Sequence, residues 1–577
     1  MGNQASGSAG VPGGGDVTKQ YSVDTQPIDH AEEFAGFSLL RGKRKRDNLP
    51  VLVFRCDKSK TSSAGLCSNA LRQAKKLRHP LVLNLLDGVE TETDVFMVTE
   101  EATPLALCFD EVRQDSQKAW GIRCVASVLS FLNEKCKLVH GNVTPWTLFV
   151  TPGGDWKIFG LELLDMECVA PDMNLGSVIL PPLLKQAQWI PSGHYKAPER
   201  RKNDFRAMET AAIWSIDTWA LGVIILDVFE GSAKSATAQP RSDPQADVDR
   251  LVSPGLRPAA KQLLSPDPRS RLSPSALLKS EYFSDLFVRS MSFLEELQLK
   301  APEKREAFFK SFVANASSFP KGALQFKILP LVAQAISFES KAVNAANVAA
   351  ASGQPPPTPA SVNVLLGMLD SILLADSITR GASLKTSGAG DQEKANRTGG
   401  LIDAAVLDLF ACNDRIVRVG LLQRIEKIAA SVSNEAINNG FDQICTGFSD
   451  ATPLVRELTI KAMVSLVPRL NDVNKNDKLM RFLAKLQGDS EHAIRTNCVV
   501  CLGIIAPQLS ADARRKTLTA SFARAMKDPF VHARVAGLRG LISSHKLMGL
   551  DTETLATKIL PTAVSYTHLT LPTKRIV

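Results

Sequence analysis

The sequence contains no run of about 18 or more uninterrupted apolar residues, so it predicts no bilayer-spanning helix. Its opening residues lack an apolar signal-peptide core, so secretion is not predicted. A cysteine framework is missing too: the 10 cysteines are scattered, as expected of a chain kept in a reducing cytosol. Strong charge is also absent. The formal net charge of +9 over 577 residues permits acidic partners or an anionic membrane surface, and does not by itself argue for nucleic acid. What is present is ordinary, with 44% hydrophobic and 22% charged residues, a soluble globular composition. The length calls for two or three domains.

Residues 1–25 are rich in Gly and Ser without periodicity and are expected to form a disordered leader. It opens MGNQAS, which matches the myristoylation pattern M-G-x-x-x-[S/T] at Gly2. A single acyl chain holds only weakly, and the basic run Arg41–Arg46 is one candidate for the second contact. From about Phe34 to Phe54 come short strand-like runs around a polar turn. A helix over residues 68–79 and two apolar runs of strand length, LVLNLL and VFMVTEE, follow. Helical patterns dominate from about residue 120. The stretch from about 341 to 400 holds GQPPPTPAS, a short apolar helix near Val364–Leu374, then SLKTSGAGDQEKANRTGG. It is expected to be a low-complexity insertion or mobile loop.

Internal repetition sets the expectation for the second half. Arg418, Arg456, Arg495 and Arg534 are spaced 38, 39 and 39 residues apart, each after a small or apolar residue. Four residues on stand Leu422, Ile460, Val499 and Leu538; seven on stand Ile425, Met463, Leu502 and Leu541. Apolar residues at fixed helical offsets with a period near 40 match HEAT-type helix pairs, whose faces are buried only by stacked neighbours. The phrase KILP at Lys327–Pro330 recurs at Lys558–Pro561, so the solenoid is expected over 291–563. The last residues, SYTHLTLPTKRIV, break the pattern, and 564–577 is expected to be a non-native tail.

In the first half, four short motifs occur in order. Ala197, Pro198 and Glu199 resemble the A-P-E that closes a kinase activation segment. Asp217, Trp219 and Gly222 in DTWALG resemble the start of a kinase's long central helix. Arg271 stands where kinases pair an arginine with the A-P-E glutamate, and His140 opens a segment similar to a catalytic loop. The resemblance implies a two-lobed α+β kinase-like domain over 26–290, followed by an all-α solenoid.

The chemical positions of that resemblance are lost. Phosphoryl transfer needs positioned carboxylates, amides and a lysine. The phosphate loop is assigned to RGKRKRD, which offers only Gly42. The strand lysine falls on Phe54, its helix glutamate on Ala70, the catalytic base on Asn142, the metal-binding asparagine on Thr147 and the D-F-G aspartate on Gly160. Glu162 could in principle reach a metal after a register shift. Losing one such group costs several kcal/mol of transition-state stabilisation, and these losses share one site. The sequence therefore predicts no catalysis, no metal and no cofactor.

A kinase-like domain with GLE in place of D-F-G and a HEAT array behind it resembles the Scy-like pseudokinases, the N-terminal kinase-like proteins. The stretches LRHP, FLEELQLK, KILP, LVPRLND, CLGIIAPQLSADAR and KDPFVHARVAGL carry the match, over roughly residues 30–563. The resemblance implies a scaffold with coatomer or other trafficking proteins as partners, cytoplasmic and peripheral on Golgi or another endomembrane. A nucleotide-binding or weakly active kinase is one alternative, and a transfer-RNA export adaptor the other. Cys498 and Cys501 form a C-x-x-C, but repeat equivalents of Cys501 are Ala462 and Gly540, so the pair is expected to fill a small-residue core slot.

Overall fold

The computed structural model describes residues 17–28, 36–166, 180–232, 238–351, 361–383 and 389–549, with a few positions beyond. Gly2, the repeated KILP at Lys558–Pro561 (apart from Pro561) and the 564–577 tail lie outside the described residues. The chain divides into two compact units, Met1–Phe293 and Leu294–Val577.

The first unit opens with an antiparallel sheet in the order β1-β2-β3-β5-β4. Its strands are β1 (Tyr21–Val23), β2 (Ser38–Arg44), β3 (Leu49–Asp57), β4 (Leu85–Glu90) and β5 (Asp94–Glu100). Runs such as VLVF and VFMV are buried at every position because both faces of the sheet are covered. One face packs Val17, Tyr21, Leu40, Val51, Val53, Phe96 and Val98 together. Helix α1 (Ala64–Lys76) follows β3. A second, three-stranded sheet, β6 (Thr103–Pro104), β7 (Leu148–Val150) and β8 (Trp156–Ile158), lies beyond it in sequence. Helices then take over, including α2 (Asp115–Leu129), the short α3 (Pro198–Arg201) and α4 (Ser215–Glu230). Helix α4 is buried nearly all round, as its sequence IDTWALGVIILDV requires.

Two expectations are corrected here. The disordered leader does not extend to residue 25: Val17 and Tyr21 are 1% and 4% exposed, and these two apolar anchors fasten β1 to the sheet edge. The basic run Arg41–Arg46 is not a phosphate-covering turn. It closes the hairpin between β2 and β3, the strand carrying Phe54, whereas the connection between the first two strands runs 24–37.

Among the described residues, every secondary-structure element of the second unit is helical. Its elements include α5 (Pro302–Asn315), α6 (Leu329–Ala351), α7 (Val362–Ser383), α8 (Ala389–Phe410) and α9 (Arg415–Gln423). Beyond them come α10 (Pro453–Leu466), α11 (Leu479–Leu486), α12 (His492–Ile505), α13 (Thr519–Ala525) and α14 (Val531–Ser544). The insertion expected at 341–400 is corrected: most of it belongs to α6, α7 and α8. Helix α7 is long and apolar enough over Val362–Arg380 to cross a membrane by composition, yet Val364, Leu365, Met368, Leu369 and Ile372 are at most 1% exposed. Gly367 brings it against α5, where an added Cβ would stand 2.9 Å from Phe309 Cβ. Gly390, Gly399 and Gly400 lie within α8 itself, so Gly content does not end the helices here, while the i, i+4, i+7 spacing of Leu365, Leu369 and Ile372 makes α7 a core helix.

The repeat arginines build a ladder. Arg456 donates to both Asp489 oxygens at 2.8 and 3.0 Å, and Arg495 to both Asp528 oxygens at 2.7 and 3.0 Å. Each also caps the loop before its own helix, Arg534 doing so on the Asp528 and Pro529 carbonyls at 3.0 Å. At the first repeat the partner of Asp450 is Arg415, at 3.3 Å, three residues before the expected Arg418. Leu422, Ile460 and Val499 are buried, whereas their equivalent Leu538 is 44% exposed. Cys498 and Cys501 are both buried in α12, the Cys498 thiol donating to the Leu483 carbonyl at 3.1 Å.

Candidate functional site

The site sits between the two sheets of the first unit. Phe54, in the middle of β3, is 3% exposed. Its ring lies edge-on to Phe37 at 6.1 Å and to Phe149 at 5.6 Å, and tilted against Phe159 at 4.8 Å. Strand pairing explains the gathering: Leu39 opposite Phe54 on β2, and Phe149 opposite Lys157 on β7 and β8, put these rings on facing surfaces. Where a kinase holds a lysine for phosphate, this chain holds four packed aromatic rings. No donor projects from Phe54.

The polar positions are turned inward on one another. Asn142 Nδ2 donates to Glu162 Oε2 at 3.1 Å, so the carboxyl offered by the sequence as a metal ligand is held by a neutral amide. Burial pushes the Glu162 carboxyl up to about 7, only partly offset by its backbone and Asn142 hydrogen bonds. Thr147 Oγ1 donates to the Asn142 carbonyl at 2.6 Å and accepts from the Thr144 N–H at 2.9 Å. Gly160 has φ +80°, and a Cβ there would stand 2.4 Å from Thr147 Cγ2. An aspartate at this position would therefore require both a left-handed backbone and a collision. Ala70 is buried in α1. Its neighbour Asn69 does what the missing glutamate cannot, Nδ2 donating to the Glu162 and Leu164 carbonyls, each at 2.9 Å.

The architectural residues form a rigid frame around this. Asp217 at the start of α4 accepts from the backbone N–H groups of His140 and Gly141, each at 2.8 Å, and from Asn133 Nδ2 at 2.8 Å. His140 is fully buried; its Nδ1 takes the Asn142 N–H at 3.2 Å, leaving Nε2 to face the Phe159 carbonyl at 3.1 Å. Desolvation lowers its pKa, so it is a neutral structural ring. Ala197 caps α3 and Pro198 opens it. Glu199 and Arg271 pair through two bonds of 2.7 and 2.8 Å, with the Arg271 guanidinium 4.8 Å over the Trp219 ring. Gly222 lets α4 approach Leu264, where a Cβ would stand 2.7 Å from Leu264 Cγ.

Sequence reading missed Asn69, Phe149, Phe159 and, above all, Arg200. That side chain is 1% exposed and donates to the Gly141 and Ile190 carbonyls. Desolvation pushes it down to about 10. It clamps the catalytic-loop backbone from the activation segment, at a Gly141 with φ +73° whose Cβ would collide with Leu184 Cδ1 at 2.4 Å. Its signal was an arginine directly after A-P-E. The aromatic signal was stronger: LFV and KIF place a Phe beside two of the lost chemical positions.

No protein-family model matches the chain. It is 30% identical over 531 residues to the "Probable inactive serine/threonine-protein kinase scy1" of Dictyostelium discoideum, covering 91% of this chain and 58% of that protein. It is 23% identical over 602 residues to "SCY1-like protein 2" of Mus musculus, covering 95% of this chain and 59% of that one. The chain thus spans under two thirds of the length of these curated relatives. Among solved structures, "Crystal structure of Cex1p" covers 96% of this chain at TM-score 0.56 and 21% identity, a likeness of fold. With a kinase frame intact, its chemical positions replaced, and a helical array following, the chain is similar over nine tenths of its length to the Scy-like pseudokinases.

Proposed function

We propose that this chain is a non-catalytic scaffold that uses its kinase-like unit as a rigid module and its helical array to bind proteins of vesicle traffic, coatomer-linked transport between Golgi and endoplasmic reticulum among them. The observation that carries this reading is the Phe54 ring in the nucleotide position, packed against Phe149 and Phe159 above a Glu162 already bound by Asn142. Positioning and charge stabilisation are the whole of phosphoryl-transfer catalysis, and neither is available there. We also assign the chain to the cytosolic face of an endomembrane, with a myristoyl group on Gly2, on the strength of the MGNQAS opening.

The test joins two measurements. Purified full-length protein is melted with and without millimolar Mg-ATP, and native protein is recovered with its partners for mass spectrometry. The reading expects no metal-dependent shift and recovery of coat or tethering proteins. A shift abolished by cleft substitution would replace it with a nucleotide sensor, and recovery of transfer RNA with export factors would replace it with an export adaptor. Mass spectrometry of the native N-terminus and fractionation of Gly2→Ala test the anchor.

A further inference from the structure

The cysteines are left unused by the scaffold reading, and two of them meet in the first unit. Cys56 stands near the end of β3 and Cys67 in the first turn of α1, each 0% exposed. Strand and helix pack so that the two thiols share a hydrogen bond, Cys67 donating to Cys56 Sγ. That bond steadies the thiolate of Cys56 and lowers its pKa. The same bond, with burial behind it, pushes Cys67 up. The C-x-x-C of α12 is arranged otherwise. Cys498 gives its thiol hydrogen to the Leu483 carbonyl, and burial pushes Cys498 and Cys501 up alike. A favoured thiolate in contact with a second thiol is an attacking and a resolving sulfur, and only the pair between β3 and α1 has that form.

We propose that Cys56 and Cys67 are a redox switch, reduced at rest and joined by a hydroperoxide into a disulfide that staples α1 to β3. The Cys56 thiolate attacks one peroxide oxygen, the O–O bond breaks, and water leaves with the thiol's proton, giving a sulfenic acid. Cys67 sulfur then attacks the sulfenic sulfur, the S–O bond breaks, and a second water leaves with the Cys67 proton. Two thiols are oxidised and one peroxide is reduced. A disulfide is roughly 2 Å long, shorter than a hydrogen-bonded contact, so the first turn of α1 must move toward β3. Its N-cap Ser63 makes no side-chain cap hydrogen bond, and nothing stands within 4 Å of a Cβ added at Gly65, so little resists the shift. Half-buried Gly36 lies over the pair, its absent Cβ 3.6 Å from Cys67 Sγ, and offers no side chain to block a molecule as small as peroxide. Leu66, beside Cys67, packs with Leu163, Leu180 and Leu184, and Asn69 holds the Glu162 and Leu164 carbonyls. The staple therefore pulls on the segment that stands in place of D-F-G.

Full-length protein, purified reduced, is treated with hydrogen peroxide, alkylated under denaturing conditions and mapped by mass spectrometry without reduction. The expected product is a cross-linked Cys56–Cys67 peptide pair, two hydrogens lighter than its thiol peptides together and undone by dithiothreitol. Cys498 and Cys501 should still be alkylated. The oxidised first unit should melt above the reduced one, because the bond constrains the unfolded chain, and the gain should vanish in Cys67→Ser. In that variant Cys56 has lost its resolving thiol and should carry a dimedone adduct of its sulfenic acid. Cys56→Ser should give no adduct at Cys67. Both thiols still alkylated at a peroxide dose that consumes the partly exposed Cys136 overturn the proposal, a result that needs no variant to fold. A cross-link that forms only in urea overturns it too, as does a cross-linked protein that melts with the reduced one. A dimedone adduct at Cys67 in Cys56→Ser removes the assigned order of attack and with it the proposal.

Discussion

Replacing Phe54 by Ala tests whether the nucleotide position is filled by packing. Phe54 is 3% exposed, and truncating a buried Phe to Ala typically costs about 3–5 kcal/mol. Three ring partners, at 4.8, 5.6 and 6.1 Å, each add about 0.5–1.5 kcal/mol beyond area burial, so the upper half of that range is expected. In a unit of this size about 1 kcal/mol lowers Tm by roughly 2 °C, which puts the shift near ~8–10 °C. Differential scanning calorimetry of the full chain resolves such a change in the transition of the first unit. The sharper variant is Phe54→Lys, which restores the phosphate-gripping residue. With the rings of Phe149 and Phe159 around it and no glutamate at Ala70, the ammonium is buried without a designed partner and costs at least as much. If Phe54→Ala melts within a degree of wild type, the rings are not packed as described. If Phe54→Lys gains a Mg-ATP-dependent stabilisation, the cleft is open and the scaffold reading fails.

Gly160→Asp should destabilise the first unit by several kcal/mol and confer no metal binding, because its Cβ meets Thr147 at 2.4 Å and φ is +80°; a stable variant that binds Mg would contradict this. Glu199→Gln, which leaves Arg271 buried without its anion, should cost about 3–5 kcal/mol, read by urea unfolding. Leu502→Ala and Leu541→Ala should each cost about 2–5 kcal/mol in the helical unit; unchanged melting and proteolysis would show the repeat register to be wrong. Glu162 is held near 7 against the usual 4.5, so the folded state favours its protonated form. The fold is therefore unpenalised below pH 4.5 and loses on the order of 3 kcal/mol as pH rises to about 7. Glu162→Gln should be more stable than wild type at pH 8 and equal to it near pH 4; equal stability at both would remove Glu162 as the cause.

The loss of the kinase chemistry was legible in the sequence because it is a matter of residue type. Phe cannot donate, Asn142 cannot accept a proton as a base, and Gly160 carries no carboxylate, wherever they lie. The Glu199–Arg271 pair was legible for the same reason: a buried glutamate and arginine in a known frame have few other partners. The period near 40 was legible because stacked helices repeat their apolar offsets. Spatial facts were not. Arg41–Arg46 was assigned to the wrong hairpin, since a polar turn between two apolar runs reads alike in either place, and only strand order distinguishes them. Composition misjudged 341–400, where long-range packing of α7 against α5 overrides Pro- and Gly-rich flanks. Asn69 and Arg200 acquire their roles only through carbonyls far away in sequence, 93 residues for Asn69 to Glu162 and 59 for Arg200 to Gly141. The sequence by itself determined which groups this protein has and lacks. Only the tertiary structure decided what replaced them, because an aromatic plug and a closed hydrogen-bond network exist through contacts between segments that nothing in their local pattern brings together.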